Sequence, residues 1–545
     1  MRRLLALALA ALLSACTVPP TTTSGTPAAA KPRLVVFLVV DGLPQRQVVD
    51  YRDQLAPDGF ARFLDRGAWF ADAHFGQAFT VTGAGHAALL TGAFPHRTGI
   101  IGNEWRNHAT GEIEYCTGDS AHTYIGHETR KLDGTSPRNL KVESLGDVLK
   151  GANPAAKVIG ISGKDRGAIP PAGHKGVAYM YQTTTGHFAS STYYMKEHPK
   201  WAADFNAGMP ADKYFHAEWK PLLPDGAYAK SLADGQKWYR KGGALPKKIG
   251  EDVAKPAAPF YAQLLPTPFS DQLTLDFARA AIAGEGLGLD DVPDILVVSL
   301  SGHDYVNHAY SAESRLSHDH VLHLDRALQD FLRHVDEKVG RDNYVAVLTA
   351  DHGFMPVSEH SESLGRKAGR QSGSQTLARL NKALAGKFGE GPFVRYFSGR
   401  AAVLDRKVIA ARGVAFDVVA DETRKLLLAE PGIDAAYTRA ELESKSRSGQ
   451  PYFEQIARTW HREISGDVEY VLKPYWMMTS TSSVATHGSP HPYDSQVPIL
   501  FYGPAWVKPG RRDGRVEVVD IAPTLAQMLG VAAPAASEGK ALPLR

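Results

Sequence analysis

The chain has 545 residues, 43% hydrophobic and 22% charged, the proportions of a soluble globular protein with enough material for a large core. Its formal charge of +3 is spread over 61 basic and 58 acidic residues with no long run of either sign, which excludes a nucleic-acid track. Two cysteines, Cys16 and Cys116, exclude a fold built on disulfides. Length alone suggests three or four domains at about 150 residues each.

At the N-terminus, Arg2 and Arg3 precede an apolar stretch, Leu4 to Leu13, that is too short to span a bilayer. The following Leu13-Ser14-Ala15-Cys16 resembles the end of a bacterial lipoprotein signal. That resemblance implies removal of residues 1–15 and lipid attachment at Cys16, with several acyl chains as the only membrane anchor. It also implies export to the periplasm or cell envelope. Thr17, where Asp would signal retention, resembles outer-membrane sorting. An ordinary secretory signal is the alternative. Residues 16–32 are rich in Thr, Pro and Ala and form a flexible tether.

Leu34 to Val40 is a continuous apolar run, the pattern of a strand buried on both faces of a parallel sheet, and it ends in Asp41-Gly42. Asp58 to Gly67 has amphipathic helical spacing. Thr80-Val81-Thr82-Gly83-Ala84-Gly85-His86 puts a hydroxyl at the start of a helix, where backbone N–H groups and the helix dipole favour an anion. A turn-rich segment then presents Asn103 on a loop. Lys157 to Ser162 is a short strand followed by Lys164-Asp165-Arg166; in an extended stretch alternate residues share a face, so Lys164 and Arg166 are expected to point together. From about 180 to 290 the texture changes to Tyr, Trp, Lys, Gly and Pro, the mark of an inserted cap.

Asp294 to Leu300 is a third buried strand. Asp304 and His308, four apart, share a helical face and can bind one metal. Leu316 to Val339 is a helix by its apolar spacing, and the strand Tyr344 to Ala350 ends in Asp351-His352-Gly353. A second insertion is expected over about 358–480, with a helix at Val418 to Leu428 and a strand at Val468 to Leu472. The polar turn Thr486 to His491, the strand Val497 to Tyr502 and the helix Asp520 to Leu529 close the chain.

Four apolar strands thus finish in Asp41, Lys164/Arg166, Asp304 and Asp351/His352. This recurrence predicts an α/β fold, an open, mostly parallel sheet flanked by helices, with the site at its carboxyl edge. Because the motifs run from Asp41 to His487, they predict a single catalytic domain, 33–535, interrupted by the two insertions.

In these motifs, together with His96 to Asn103 and His487-Gly488-Ser489-Pro490, the chain resembles the alkaline phosphatase superfamily over nearly all of its length after residue 33. The resemblance is to bacterial threonine-nucleophile alkaline phosphatases related to the type I phosphodiesterase/nucleotide pyrophosphatase family. It implies an alkaline-phosphatase-like fold and two zinc ions per chain, one held by Asp304, His308 and His487, the other by Asp41, Asp351, His352 and Thr82. The ligand types also admit manganese or iron. It implies hydrolysis of small phosphate monoesters through a phosphothreonine at Thr82. Asn103 and a backbone N–H beside Thr82 would hold one phosphoryl oxygen, Lys164 and Arg166 the others. The diesterase relatives place Phe-Pro-Asn after the threonine, whereas this chain has Gly83-Ala84-Gly85, so phosphodiesterase is the alternative and a non-catalytic phosphate-binding lipoprotein a third reading. The setting of Cys116, Tyr115-Cys116-Thr117-Gly118, does not match a sulfatase and leaves it a structural thiol. His86 is expected beside the site or in packing, His318, His320 and His323 at the surface or in packing, and His303 and His491 carry no assigned role.

Overall fold

Seven consecutive apolar residues, all buried, make Leu34–Val40 (β1) the middle of the main sheet. The other strands are Ala68–His74 (β2), Val158–Ser162 (β3), Val177–Gln182 (β4), His187–Ala189 (β5), Asp294–Leu300 (β6), Tyr344–Thr349 (β7), Ile499–Tyr502 (β8) and Gly510–Glu517 (β9). Their order is β9-β2-β8-β7-β1-β6-β3-β4-β5. β7, β1, β6, β3 and β4 are mutually parallel, and β9 runs parallel to β2; β8 and β5 run against their neighbours. These relations come from a computed structural model that describes residues 31–545 other than 109 and 481. The signal sequence, Cys16 and the tether through residue 30 lie outside the described residues.

Register decides where the chemistry collects. Val40 pairs with Leu300, Val39 with Thr349, and Ser299 with Ser162. The chain therefore leaves β1, β6, β7 and β3 at one level, and Asp41, Ser301, Ala350 and Gly163 begin the loops of one edge. Helices Thr82–Thr91 (α1), Asp165–Ala172 (α2), Pro268–Glu285 (α3), Gly302–Tyr310 (α4) and Arg315–Lys338 (α5) flank the sheet. α5 starts where Ser314 Oγ accepts the Ser317 N–H at 3.0 Å, and it buries Leu324, Leu328, Phe331 and Val335 at three- and four-residue spacing.

Three boundaries differ from those read in the sequence. The stretch from 180 is not all cap. Met180 to Gln182 finishes β4, β5 pairs with it, and α3 packs on β6. Part of the aromatic content that suggested a cap is core: Tyr179, Tyr181 and Trp219 are buried, with Tyr179 against Phe277 at 5.3 Å between ring centres and Phe188 stacked on Phe277 at 4.3 Å. Leu542 and Leu544 are buried in the main core, so the folded unit continues past 535. Finally, β2 had no alternation to mark it. Within 358–480, Val394–Ser398, Ala401–Leu404, Val468–Leu472 and Ile433–Thr438 form a separate four-stranded sheet, in that order, over its own apolar cluster that includes Leu380, Val419 and Leu427.

Candidate active site

Thr82 is the first residue of α1, after Val81 in extended conformation, and it is buried. α1 approaches the end of β7 so closely that a Cβ on Gly85 would stand 2.1 Å from the Asp351 carbonyl oxygen. Only glycine allows this contact, and it brings Thr82 Oγ1 to 3.4 Å from His352 Nε2. Behind the helix start, a Cβ on Gly83 would meet Cys116 Sγ at 3.0 Å. Burial pushes the Cys116 thiol up to about 12, so it is an uncharged packing group.

Asp41, Asp304, Asp351, His352 and His487 are buried together, and His308 is half-buried beside them. The three histidines are oriented in the same way. His308 Nδ1 donates to Ala485 O, His352 Nδ1 to Gly353 O and His487 Nδ1 to Thr80 O, each at 2.9 Å. That fixes the tautomer and turns each Nε2 lone pair toward the carboxylates. His308 Nε2 lies 3.4 Å and His487 Nε2 3.6 Å from Asp304 Oδ1; His352 Nε2 lies 3.5 Å from Asp41 Oδ1 and 3.4 Å from Asp351 Oδ2. Burial holds His352 and His487 below the usual imidazole range, which favours the neutral ring in both.

The fit to metal ions is tested by the oxygens these groups leave over. Asp41 Oδ1, Asp304 Oδ1 and Asp351 Oδ2 are buried without a hydrogen-bond partner among the described residues. His86 Nδ1 is 3.2 Å from Asp351 Oδ2 but is committed to Thr82 O at 2.9 Å. Three unpaired carboxylate oxygens facing three imidazole lone pairs have no proton to share, and divalent cations satisfy such a set. Among the described residues, two groups have all ligand atoms within 4.8 Å: Asp41, Asp351 and His352, and Asp304, His352 and His487. His352 belongs to both, and His308 adjoins the second through Asp304 and with its ring centre 5.2 Å from that of His487.

Lys164 joins the two groups. Its Nζ donates to Asp41 Oδ2 at 2.7 Å and to Asp304 Oδ2 at 2.5 Å, using the carboxylate oxygens that face away from the unpaired pair. Burial disfavours the ammonium, but Asp304 and Asp41 outweigh it and raise Lys164 above the usual lysine range. Asp41 is itself pushed up, by burial and then by Asp351.

Lys164 and Arg166 are near one another, though not by strand alternation. β3 ends at Ser162, Lys164 is the extended residue capping α2, and Arg166 is already helical. They converge beside Tyr305, whose ring centre lies 4.7 Å from Lys164 Nζ. Arg166 Nη1 donates to Tyr115 Oη at 3.0 Å, and Tyr115 Oη donates to Asp165 Oδ1 at 2.6 Å. The backbone donor expected beside Thr82 is taken: Gly83 N donates to Asn103 Oδ1 at 2.7 Å. The Asn103 amide is thereby oriented with its Nδ2 left as the donor.

Residues 35–494 match the family described as type I phosphodiesterase / nucleotide pyrophosphatase. The chain belongs to that family. This phosphodiesterase-family chain is 36% identical over 517 residues to a protein of Myroides odoratus named calcium-transporting ATPase, covering 92% of this chain and 93% of that one. It is 34% identical over 524 residues to alkaline phosphatase PafA of Elizabethkingia meningoseptica, covering 94% of each. The crystal structure of wild-type alkaline phosphatase PafA superposes with a TM-score of 0.88 at 32% identity, over 94% of this chain and 99% of that one. These relatives and the shared fold set the chain within the alkaline phosphatase superfamily.

Sequence reasoning missed Tyr115 and Tyr305, which hold the cationic pair, and Gly85, which seats α1. Gly85 carried a signal, a glycine inside a helix start; the tyrosines carried none. His303, without an assigned role, is buried on α4 with its Nε2 2.8 Å from Gln47 Oε1, and His320, expected at the surface or in packing, is buried on α5.

Proposed function

We propose that this protein is a zinc-dependent alkaline phosphatase that works through a phosphothreonine at Thr82. It is a phosphoric monoester hydrolase. The observation that carries the finer reading is the placement of one hydroxyl, Thr82, at a helix N-terminus between six convergent metal-ligand side chains and a cationic pair, buried Lys164 and half-buried Arg166.

Thr82 Oγ attacks phosphorus in line, its P–O bond forms as the bond to the leaving oxygen breaks, and water then hydrolyses the phosphothreonine. Two zinc ions, held by Asp41, Asp351, His352 and Thr82 and by Asp304, His308 and His487, would supply Lewis-acid charge at the attacking and leaving oxygens. Lys164 spends two of its three N–H donors on Asp41 and Asp304, and the third is free for a phosphoryl oxygen. Arg166 has an Nε that is buried and unpartnered among the described residues, and Asn103 offers Nδ2. Together they surround the transferring group with donors where its charge is greatest.

Two cations beside the nucleophile favour a monoester, with its extra unesterified oxygen, over a diester. Comparison of kcat/KM for p-nitrophenyl phosphate and bis-p-nitrophenyl phosphate tests this, with Lys164→Ala and Arg166→Ala alongside. A monoester preference that shrinks in both variants supports it; a diester preference moves the protein to the phosphodiesterase branch. The N-terminal signature supports export and lipid anchoring at Cys16, which loss of palmitate labelling in Cys16→Ala would test.

A further inference from the structure

The main sheet carries a second concavity. Where β3 and β4 begin, a cleft of about 540 Å³ opens, a size that suits a drug-sized ligand. It is far from the chemistry. Six residues of extended chain, at ~3.3 Å each, separate Val158 from Lys164, so it lies on the order of 20 Å from the catalytic edge.

Its floor is apolar, made by Ile159 and Val177, with Tyr179, Tyr194 and Met195 as walls. Four lysines line it; Lys200 is paired with Asp204 at 2.5 Å, and Lys150, Lys157 and Lys175 supply three further ammonium groups. Each is steadied by a main-chain carbonyl: Lys150 Nζ donates to Ala156 O at 2.9 Å, Lys157 Nζ donates to Glu285 O, and Lys175 Nζ lies 3.5 Å from Asp147 O. A carbonyl fixes an ammonium without neutralising it and leaves other N–H groups free. Glu197 and Glu285 also line the cleft and offset part of this charge, leaving an excess on the lysines; Glu285 Oε1 accepts the Trp201 indole N–H at 2.7 Å, and Glu197 is exposed. Tyr194 gives its ring to the wall, its Oη being buried away from solvent.

We propose that this cleft is a second binding site, for a small anion with a flat apolar body. The carboxylate, sulfonate or phosphate sits on the lysines, and the body lies against Ile159, Val177, Tyr179 and Met195. A compact inorganic anion leaves the apolar floor unused, and an uncharged ring leaves the lysines unused.

The test is a fluorescence titration of the zinc-loaded mature protein with 8-anilinonaphthalene-1-sulfonate, which has an aromatic body and one anion. Saturable single-site binding is expected, undisturbed by inorganic phosphate at concentrations that fill the catalytic site. Lys150→Glu with Lys175→Glu should weaken it about tenfold or more. Met195→Trp, which fills the cleft, should abolish it. Circular dichroism and an unchanged kcat/KM for p-nitrophenyl phosphate establish that each variant is folded. Absence of saturable binding, equal binding by the charge-reversed and filled variants, or displacement by phosphate would each overturn the assignment.

Discussion

Replacing Lys164 by Met removes one ammonium and keeps the stem, and the structure says what that leaves. Lys164 is 4% exposed, Asp41 0% and Asp304 2%, so two carboxylate oxygens lose the hydrogen-bond donor they have among the described residues, at positions shielded from bulk water. Removing one member of a buried ion pair costs about 3–5 kcal/mol, because the partner charge is stranded. That is the loss expected for chelated, metal-free protein. With cations on the opposite oxygens of the same aspartates, charge is restored and the loss should shrink to the worth of a charged hydrogen bond, about 1.5–3 kcal/mol. Urea denaturation of wild type and Lys164→Met, each with and without zinc, measures both. The sign with pH follows from the raised Lys164: its contribution is complete below the ordinary lysine value of about 10.4 and is lost only as pH climbs past the higher folded value. Across pH 7–9 the difference between the two proteins should therefore stay level. An equal loss with and without zinc would refute the reasoning, since Lys164 would then be a packing residue and not a tie between two carboxylates.

Thr82→Ala should lower monoester turnover by more than about 10³-fold while leaving both metal ions in place, because the six carboxylate and imidazole ligands remain; residual activity near wild type would remove Thr82 from the mechanism. Gly85→Ala drives a methyl group to 2.1 Å from Asp351 O, so it should cost about 1–3 kcal/mol in the urea midpoint and weaken zinc affinity measured by calorimetry; if neither moves, α1 is not seated as described. Asp494 is buried, accepts the Ser489 Oγ–H at 2.6 Å, and is pushed up by burial to about 8 from an ordinary 3.8. The folded state keeps this proton where the unfolded state has lost it, so stability falls as pH rises from about 4 to 8 and then levels. Asp494→Asn should flatten that part of the curve and be the more stable protein at pH 8.5; parallel curves for the two would show that Asp494 does not titrate this way.

How much of this was legible depended on what each residue does for the fold. β1 is an uninterrupted apolar run, β6 and the strand Val468–Leu472 are largely apolar, interrupted by Ser299 and Glu469, and the observed ends of all three coincide with those read from sequence. Asp41, Asp304, Asp351 and His352 follow such runs, so topology carried them to one edge without further information. β2 was hidden because Asp72 breaks its apolar character and its outer neighbour, β9, is largely exposed. His487 and Asn103 sit on loops, where no periodicity points, and were legible only through family resemblance. Lys164 and Arg166 were found for a reason the structure corrects, since a strand-to-helix junction and not a strand brings them together. Their tyrosine supports come from Tyr115 and Tyr305, far apart in sequence, and a single chain read in order gives no way to pair them.

The charge inventory of the site bears directly on which ester it prefers. Among the residues that converge there, three aspartates oppose Lys164 and Arg166, while burial favours the neutral ring of His352 and His487. Alone, this set is negative and would repel phosphate; with two divalent cations bound it becomes strongly positive. A monoester dianion cancels more of that excess than a diester monoanion, and does so where little water remains to screen either. Lys164 makes the selectivity depend on the metals, because the aspartates that hold its ammonium are the ones whose other oxygens face the cations. Without metal, Lys164 is drawn toward Asp41 and Asp304; with metal, those carboxylates share their charge and the remaining N–H of Lys164 is a stronger donor to phosphate. Metal loading and the monoester preference should therefore rise together and not as separate properties of the site.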